Sequence, residues 1–363
     1  MQILSKQTSH QQNDILKPNP FLKGLPLIYY FSGIRKNDKA IRREVSLRFS
    51  SKETTRAFLY YPPGKNPGDL PGIFLPHGMN ISGIDDIRVQ NLARNLALSG
   101  YSVLTPEIPE VKFLKIDIKT IERIKNLFYD YYNRTEYHSK DKLSFFSVSF
   151  SGSMGLIAFS HDKIRDKIRS AMVIGCCSHF VDTYLYANQN FHVDNYACMI
   201  LFYNFLTYLD KKMYSEIAHV LFEYAVDNSL HRTEENSVGA KEHKKLRPPA
   251  ADFLNRLFQD EKFRSDVVYA IKDNLPPEIP RSFSPYYYLG DFKAPLSLLH
   301  GSKDPVISPE ESRKTYLNLK NRNHPVYVSI SDLITHGDQV PLYSQILGIP
   351  GVAKAFGFYF SHI

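Results

Sequence analysis

From Gly72 onward the sequence alternates short apolar runs with helix-like segments, and that rhythm confines the chain to a small set of folds. GIFLP (Gly72 to Pro76) is followed by a helix-like stretch from about Ile87 to Ser99. YSVLTP is followed by one from about Ile118 to Tyr132, and LSFFSVS by a small-residue run leading to AMVIG (Ala171 to Gly175). A strand, a helix and a second strand make a right-handed crossover, and crossovers in series build a parallel sheet with helices on its faces. The rhythm stops from about His179 to Pro285, where only helix-like and loop-like sequence is found. It resumes with APLSLLHG (Ala294 to Gly301), a helix from about Pro309 to Leu319, the strand PVYVSI and a last helix ending GVAKAFGFYF. Upstream, IRREVSLRFS (Ile41 to Ser50) and TTRAFLYY, ending at Tyr61, alternate like antiparallel strands and stop at Pro62-Pro63-Gly64. The expectation is an α/β chain: a mostly parallel twisted sheet flanked by helices, with an inserted helical cap. Its expected division is a partly flexible leader over 1–40, a core over 41–178 and 286–363, and a cap over 179–285.

A chain of 363 residues can bury the core that such a layered fold needs. Its apolar fraction of 43% and charged fraction of 23% are those of a globular protein and exclude a disordered or low-complexity chain. The net charge of +8 is spread along the sequence, without zinc-finger spacing or RNA-binding aromatics, so nucleic acid is not an expected partner. The densest basic run, Lys241 to Lys245 with Arg247, reads as a solvated loop. Three cysteines, Cys176, Cys177 and Cys198, give neither CxxC spacing nor an even disulfide set, which fits a reducing compartment, the cytoplasm. No His or Cys pair has metal-ligand spacing with a supporting acid, so no metal is expected. The amino-terminal stretch lacks the pattern of a signal peptide, and the longest apolar runs fall short of the roughly 20 residues of a membrane span. The charge and the segment PFLKGLPLIYYF leave room for weak association with a membrane surface.

The stretch FFSVSFSGSMGLIA (Phe145 to Ala158) joins a strand-like run to a helix-like one through alternating serines. A serine becomes a nucleophile when a base takes its proton and a tight turn holds its oxygen clear of the backbone. Such a turn needs small residues two before, two after and three after the nucleophile. For Ser149 these are Ser147, Ser151 and Gly152; for the alternative nucleophile Ser151 they include Met154, which would crowd the turn. Serines replace both glycines of the G-x-S-x-G pattern. LLHGSKDPVI places Asp304 beyond a strand, where a carboxylate could orient a histidine, and VSISDLITHGDQV places His336 on a loop after the next strand. The order Ser149, Asp304, His336, each at the carboxyl edge of an expected parallel strand, fits a hydrolase built on such a sheet. In FLPHGMN the turn after GIFLP could aim the N–H of Met79 at a developing oxyanion beside the N–H of Phe150. His77 and His300, each before a glycine at a strand end, read as buried structural histidines, and Asp85 and Asp86 as caps of the helix carrying Arg88. Asp332 and Asp338 compete with Asp304 as the orienting acid.

At these residues the sequence resembles the α/β-hydrolase superfamily, from about residue 42 to near the end of the chain. HGMNISGIDDIRVQNLARNLALSGYSVLTPEIPEV is similar to its oxyanion strand and following helix. FFSVSFSGSMGLIA is similar to its nucleophile elbow, and SPYYYLGDFKAPLSLLHGSKDPVISPEES to its acid strand. The resemblance implies a helical cap between the strand near Ile174 and the strand near Leu298, and ester-type hydrolysis without metal or cofactor. The expected reaction is cleavage of a carboxylic ester through an acyl-enzyme, with a lipid-like or aromatic substrate suggested by the aromatic-rich stretch YLYANQNFHVDNYACMILFYNFLTYL. An acyltransferase or peptidase using the same triad, and a non-catalytic binding member of the fold, remain alternatives.

Overall fold

The short apolar runs GIFLP, YSVLTP, LSFFSVS, AMVIG, APLSLLHG and PVYVSI each form a strand, and two-residue alternation sends their side chains to both faces of one sheet. In the computed structural model, which describes Leu22, Gly24, Leu25, residues 39–334 and residues 348–363, eight strands pair in the order β1-β2-β4-β3-β5-β6-β7-β8. They are β1 (Ile41–Arg48), β2 (Thr54–Tyr61), β3 (Gly72–Phe74), β4 (Ser102–Pro106), β5 (Leu143–Val148), β6 (Ser170–Ile174), β7 (Leu296–Gly301) and β8 (Val326–Ser331). β1 pairs with β2 and β2 with β4 antiparallel; the remaining pairs are parallel. The central strands β3 to β7 are almost wholly buried, whereas β1 is mostly exposed, as an edge ribbon must be.

The crossover helices divide between the two faces. The main core takes Phe74, Phe145, Val173 and Leu298 from the sheet and packs them against α3 (Lys119–Tyr132), α4 (Ser149–Ala158) and α12 (Pro309–Lys320). A second core takes Ile73, Val103, Phe146 and Met172 and packs them against α1 (Ile87–Leu98) and α13 (Ile349–Phe360). A four-residue helix, α2 (Pro109–Lys112), follows β4. The chain leaves β3 for α1 on one face and the neighbouring β5 for α4 on the other. Adjacent strands whose connections part in this way open a crevice at their carboxyl ends, the usual ligand position in such sheets.

Between β6 and β7 the chain forms helices only: α5 (Phe180–Gln189), α6 (Tyr196–Phe205), α7 (Lys211–Ser229), α8 (Val238–His243), α9 (Pro248–Gln259), α10 (Glu261–Asn274) and α11 (Glu278–Ser282), with short 3-10 turns. The two ends of this insertion are pinned together. Phe180 N–H donates to Ser284 Oγ at 2.9 Å, Tyr286 N–H to Ser178 O at 3.2 Å, and the buried Glu311 of α12 accepts the N–H groups of Ser178 and His179 at 2.9 and 2.7 Å. Inside the insertion Asp227 caps α8, accepting from Ser237 Oγ, Val238 N–H, Gly239 N–H and the Arg232 guanidinium. Among the described residues no helix is long and apolar enough to cross a membrane.

Candidate active site

The strand-to-helix turn after β5 is tight because α4 begins at the residue following the strand. Ser149 occupies it with φ +53°, a left-handed conformation that costs a side-chain-bearing residue on the order of 1–2 kcal/mol. The turn survives because its surroundings admit almost no side chain. A Cβ on Gly152 would overlap Val173 of β6, and one on Gly155 would overlap the ring of Phe145, so α4 lies directly on the sheet. Ser147 Oγ donates to Pro76 O at 2.9 Å, tying the end of β5 to the end of β3. Ser153 Oγ donates to Ser149 O at 3.3 Å and accepts from Cys177 N–H at 3.0 Å, joining the turn to the chain after β6. Ser149 is half-buried, whereas Ser151 is fully buried inside α4, its hydroxyl without a partner among the described residues.

The turn after β3 lies against this corner: a Cβ built on Gly78 would stand 3.0 Å from Val148 Cγ2 and 3.9 Å from Ser149 Cβ. Its carbonyls are held from four directions. Pro76 O accepts from Ser147, Gly78 O lies 2.8 Å from His77 Nδ1, Met79 O accepts from the Tyr196 hydroxyl at 2.8 Å, and Asn80 O accepts from Gly83 N–H at 3.0 Å. His77 is buried, and its Nε2 accepts from Ile108 N–H at 3.0 Å. A carbonyl can only accept and an N–H only donate, so one neutral tautomer satisfies both contacts, with the proton on Nδ1. Burial favours that neutral form by pushing the imidazole below its ordinary value of 6.5. Neither Met79 N–H nor Phe150 N–H has an acceptor among the described residues, and Phe150 lies in the first turn of α4, where helix N–H groups have none. Asp86 caps α1 through Arg88 N–H at 2.8 Å and grips the Arg88 guanidinium. Burial works against its charge, but the hydrogen bonds and the positive charge of Arg88 outweigh it and hold the carboxyl below the usual range. Asp85 pairs instead with Arg56.

Asp304 lies in the turn after β7 and is buried. Its Oδ1 accepts the N–H groups of Val306 and Ile307, both at 2.9 Å, and its main-chain carbonyl accepts from the Tyr186 hydroxyl at 2.8 Å. His300 Nε2 lies 3.4 Å from Asp304 Oδ2 but points its proton at Ile307 O, 2.9 Å away, while Nδ1 meets Ser312 Oγ at 2.6 Å. His300 is thus a buried histidine with both nitrogens engaged. Asp332 pairs with Ser302. His336 and Asp338 lie outside the described residues. Cys177, Val306 and Ile307 form a small apolar cluster with Ala197 of α6, so the chain after β6, the acid turn and the inserted helices meet in one place.

All three cysteines are free and buried, and burial pushes each thiol up to about 12, which leaves no activated sulfur. Among the described residues one grouping has metal-ligand chemistry: His179, Asp182 and Glu311, whose ligand atoms lie within 4.8 Å of one another. The Lys314 ammonium already bridges it, 2.6 Å from both Asp182 and Glu311, and the other Glu311 oxygen accepts two main-chain N–H groups. It is an ion pair fastening α5 to α12. Sequence reasoning passed over Tyr186, Tyr196, Ser153 and Glu311. The tyrosines sit in an aromatic-rich stretch where nothing in the spacing distinguishes a ring that packs from one whose hydroxyl reaches another element.

No family model matches the sequence, and no curated protein matches it. Solved structures do. An acylaminoacyl peptidase bound to a chloromethyl ketone is similar over 87% of this chain and 40% of its own, with TM-score 0.51 and 16% identity. Porphyromonas gingivalis dipeptidyl peptidase 4 is similar over 90% of this chain and 36% of its own, with TM-score 0.52 and 11% identity. An esterase of Pyrococcus furiosus is similar over 89% of this chain and 91% of its own, with TM-score 0.50 and 13% identity. The chain therefore spans about two fifths of the length of the two peptidases but nearly all of the esterase. At these identities the likeness is one of fold, and with the strand order, the strained serine turn and the β3 turn packed against it, the chain has the α/β-hydrolase fold.

Proposed function

We propose that the protein is a serine hydrolase that cleaves a carboxylic ester through an acyl-enzyme. The observation that carries this reading is Ser149 at φ +53° between β5 and α4, with the β3 turn packed on it. A side-chain-bearing residue held in that conformation at a sheet's carboxyl edge, where glycine would be free of strain, points to a hydroxyl that must be presented. In the proposed reaction Ser149 Oγ attacks the ester carbonyl as His336 takes its proton, and Asp304 orients the imidazole and stabilises its charge. The N–H groups of Met79 and Phe150 bind the oxyanion, aided by the positive end of the α4 dipole. Collapse expels the alcohol, which takes the proton from His336. Water, deprotonated by His336, then releases the acid and restores Ser149. Burial of Ser151 inside α4 favours Ser149 as the nucleophile. The inserted helices serve as a cap whose apolar contact with the acid turn at Ala197 suits an acyl or aromatic group. Similarity to an esterase along nearly its whole length supports the ester reading. Peptide-bond cleavage by the same groups is the second reading, supported by similarity to two peptidases.

The test is labelling with a fluorophosphonate, located by peptide mass spectrometry, on wild type, Ser149→Ala and Ser151→Ala, followed by turnover of p-nitrophenyl esters of graded chain length and of matched anilides. Labelling lost only in Ser149→Ala, with esters turned over faster than anilides, supports the proposal. A folded wild type that takes no label sinks it, and anilides turned over faster than esters transfer it to the peptidase reading.

A further inference from the structure

The β3 turn that would supply an oxyanion donor receives three of its carbonyl contacts from the α/β core and one from the inserted helices. Ser147 lies on β5, His77 and Gly83 belong to the turn itself, and Tyr196 is the first residue of α6. The backbone of Tyr196 is itself fixed, its N–H donating to Asp194 Oδ1 at 2.8 Å. Tyr186, near the end of α5, makes the matching contact with the acid turn at Asp304 O. The turn after β3 and the turn after β7 are therefore each gripped by one phenol from successive inserted helices, at 2.8 Å in both cases.

We propose that Tyr196 is a positioning residue for the oxyanion turn, and that Tyr186 plays the same part for the acid turn, so that seating of the inserted helices assembles the catalytic geometry. This rests on the serine hydrolase reading and adds to it a coupling between cap and chemistry. The carbonyl that Tyr196 holds belongs to the peptide just after the Met79 N–H, and fixing it restrains the rotation of Met79 that would swing its N–H away. A hydrogen-bond donor aimed at a developing charge contributes through being oriented in advance, so loosening it raises the barrier without weakening the ground-state complex. Burial pushes the Tyr196 phenol well above its ordinary value of 10.0, which keeps it protonated, and so a donor, across the working range of pH. A substrate that holds α5 and α6 against the core would thereby favour the competent site over the loosened one.

Two measurements on Tyr196→Phe test this. The first is amide hydrogen exchange of the peptide spanning 77–86, which needs no catalytic activity. The second is the fluorophosphonate reaction, separated into its saturation constant and its limiting rate. The control is Asn204→Ala, which removes two other bonds between α6 and the core, one to Leu114 O and one from Ile116 N–H, and touches neither turn. The expected result is faster exchange over 77–86 and a limiting rate lower by about tenfold, short of the 10²–10³ lost when an oxyanion donor is deleted. The saturation constant stays unchanged, and Asn204→Ala lowers the melting temperature without changing the limiting rate. Unchanged exchange and unchanged rate in Tyr196→Phe overturn the proposal. So does an equal loss of rate in Asn204→Ala, which would make the effect one of general loosening. Faster exchange in Tyr196→Phe beside a wild type that takes no label would overturn the serine hydrolase reading and the catalytic role together, leaving only a structural contact.

Discussion

His77 Nδ1 lies 2.8 Å from the carbonyl oxygen of Gly78, and the peptide that owns that oxygen also owns the Met79 N–H. In a trans peptide the two groups point in opposite directions, so the imidazole pulls the carbonyl one way and thereby aims the N–H the other. His77→Leu removes this anchor and strands the buried Ile108 N–H. The expected cost is about 1–3 kcal/mol for each buried group left unpaired, read by denaturant unfolding. A fall in fluorophosphonate reactivity should exceed what the stability loss explains.

The same histidine makes stability depend on pH. Its folded value is lowered from 6.5, as are those of the buried His138 and the half-buried His324, each by desolvation first. Below pH 6.5 the unfolded histidines bind protons that the folded ones refuse, so unfolding free energy falls as pH drops. The slope vanishes only below the folded values. Unfolding midpoints from pH 8 to pH 5 should decline in wild type and decline less steeply in His77→Leu. An unchanged slope in the variant would show that His77 is not one of the groups responsible.

Ser149 is held left-handed at φ +53°, and glycine would occupy that conformation without strain. Ser149→Gly is therefore expected to gain about 1 kcal/mol of stability, against Ser149→Ala which keeps the strain, while both lose all labelling. Chemical denaturation of the pair checks it. A glycine variant no more stable than the alanine variant would mean that the turn carries no strain to release.

The layered fold was legible because its signals are local. Alternating runs such as LSFFSVS and AMVIG become β5 and β6, Pro62-Pro63-Gly64 ends β2, and Asp86 caps α1 as its place before Arg88 suggests. Small residues around Ser149 marked the turn for the same reason, since the steric demand there falls on near neighbours in sequence. The contacts of Tyr196 with Met79 and of Glu311 with Ser178 were not legible. They join segments 117 and 133 residues apart, and neither end carries a pattern that names its partner. His77 and His300 were read as structural from their places at strand ends, but which nitrogen faces which acceptor needed the fold.

Gly155 is the point at which α4 rests on the Phe145 ring, where any Cβ would overlap the aromatic carbons. Gly155→Ala should cost about 1–3 kcal/mol by overpacking, despite the better helix propensity of alanine. The cost should shrink when Phe145→Leu is added, because the smaller side chain yields the space. A double-mutant cycle on denaturation midpoints reads the coupling. A Gly155→Ala protein as stable as wild type would mean that α4 can shift off the sheet, and the position of Ser149 would then be less fixed than its backbone suggests.

Asp227 holds the insertion together from within. Burial opposes its charge, yet Ser237, Arg232 and the N–H groups of Gly239 and Val238 hold the carboxyl below its ordinary value of 3.8. A folded value lower than the unfolded one stabilises the protein above the unfolded value, and that contribution is lost as pH falls through the folded value. Asp227→Ala leaves Arg232 without its partner and two main-chain donors unsatisfied at the start of α8. The expected loss is about 1–3 kcal/mol for each main-chain donor left unpaired, because the exposed Arg232 keeps its charge in water. It should be confined at first to the inserted helices, whose ends are pinned to each other by Ser284 and to α12 by Glu311. Limited proteolysis separates the outcomes: early cuts between α7 and α9 with an intact sheet show a locally loosened insertion. Simultaneous loss of all protection would show that insertion and sheet unfold as one cooperative unit, and the coupling proposed between Tyr196 and the β3 turn would then extend to stability.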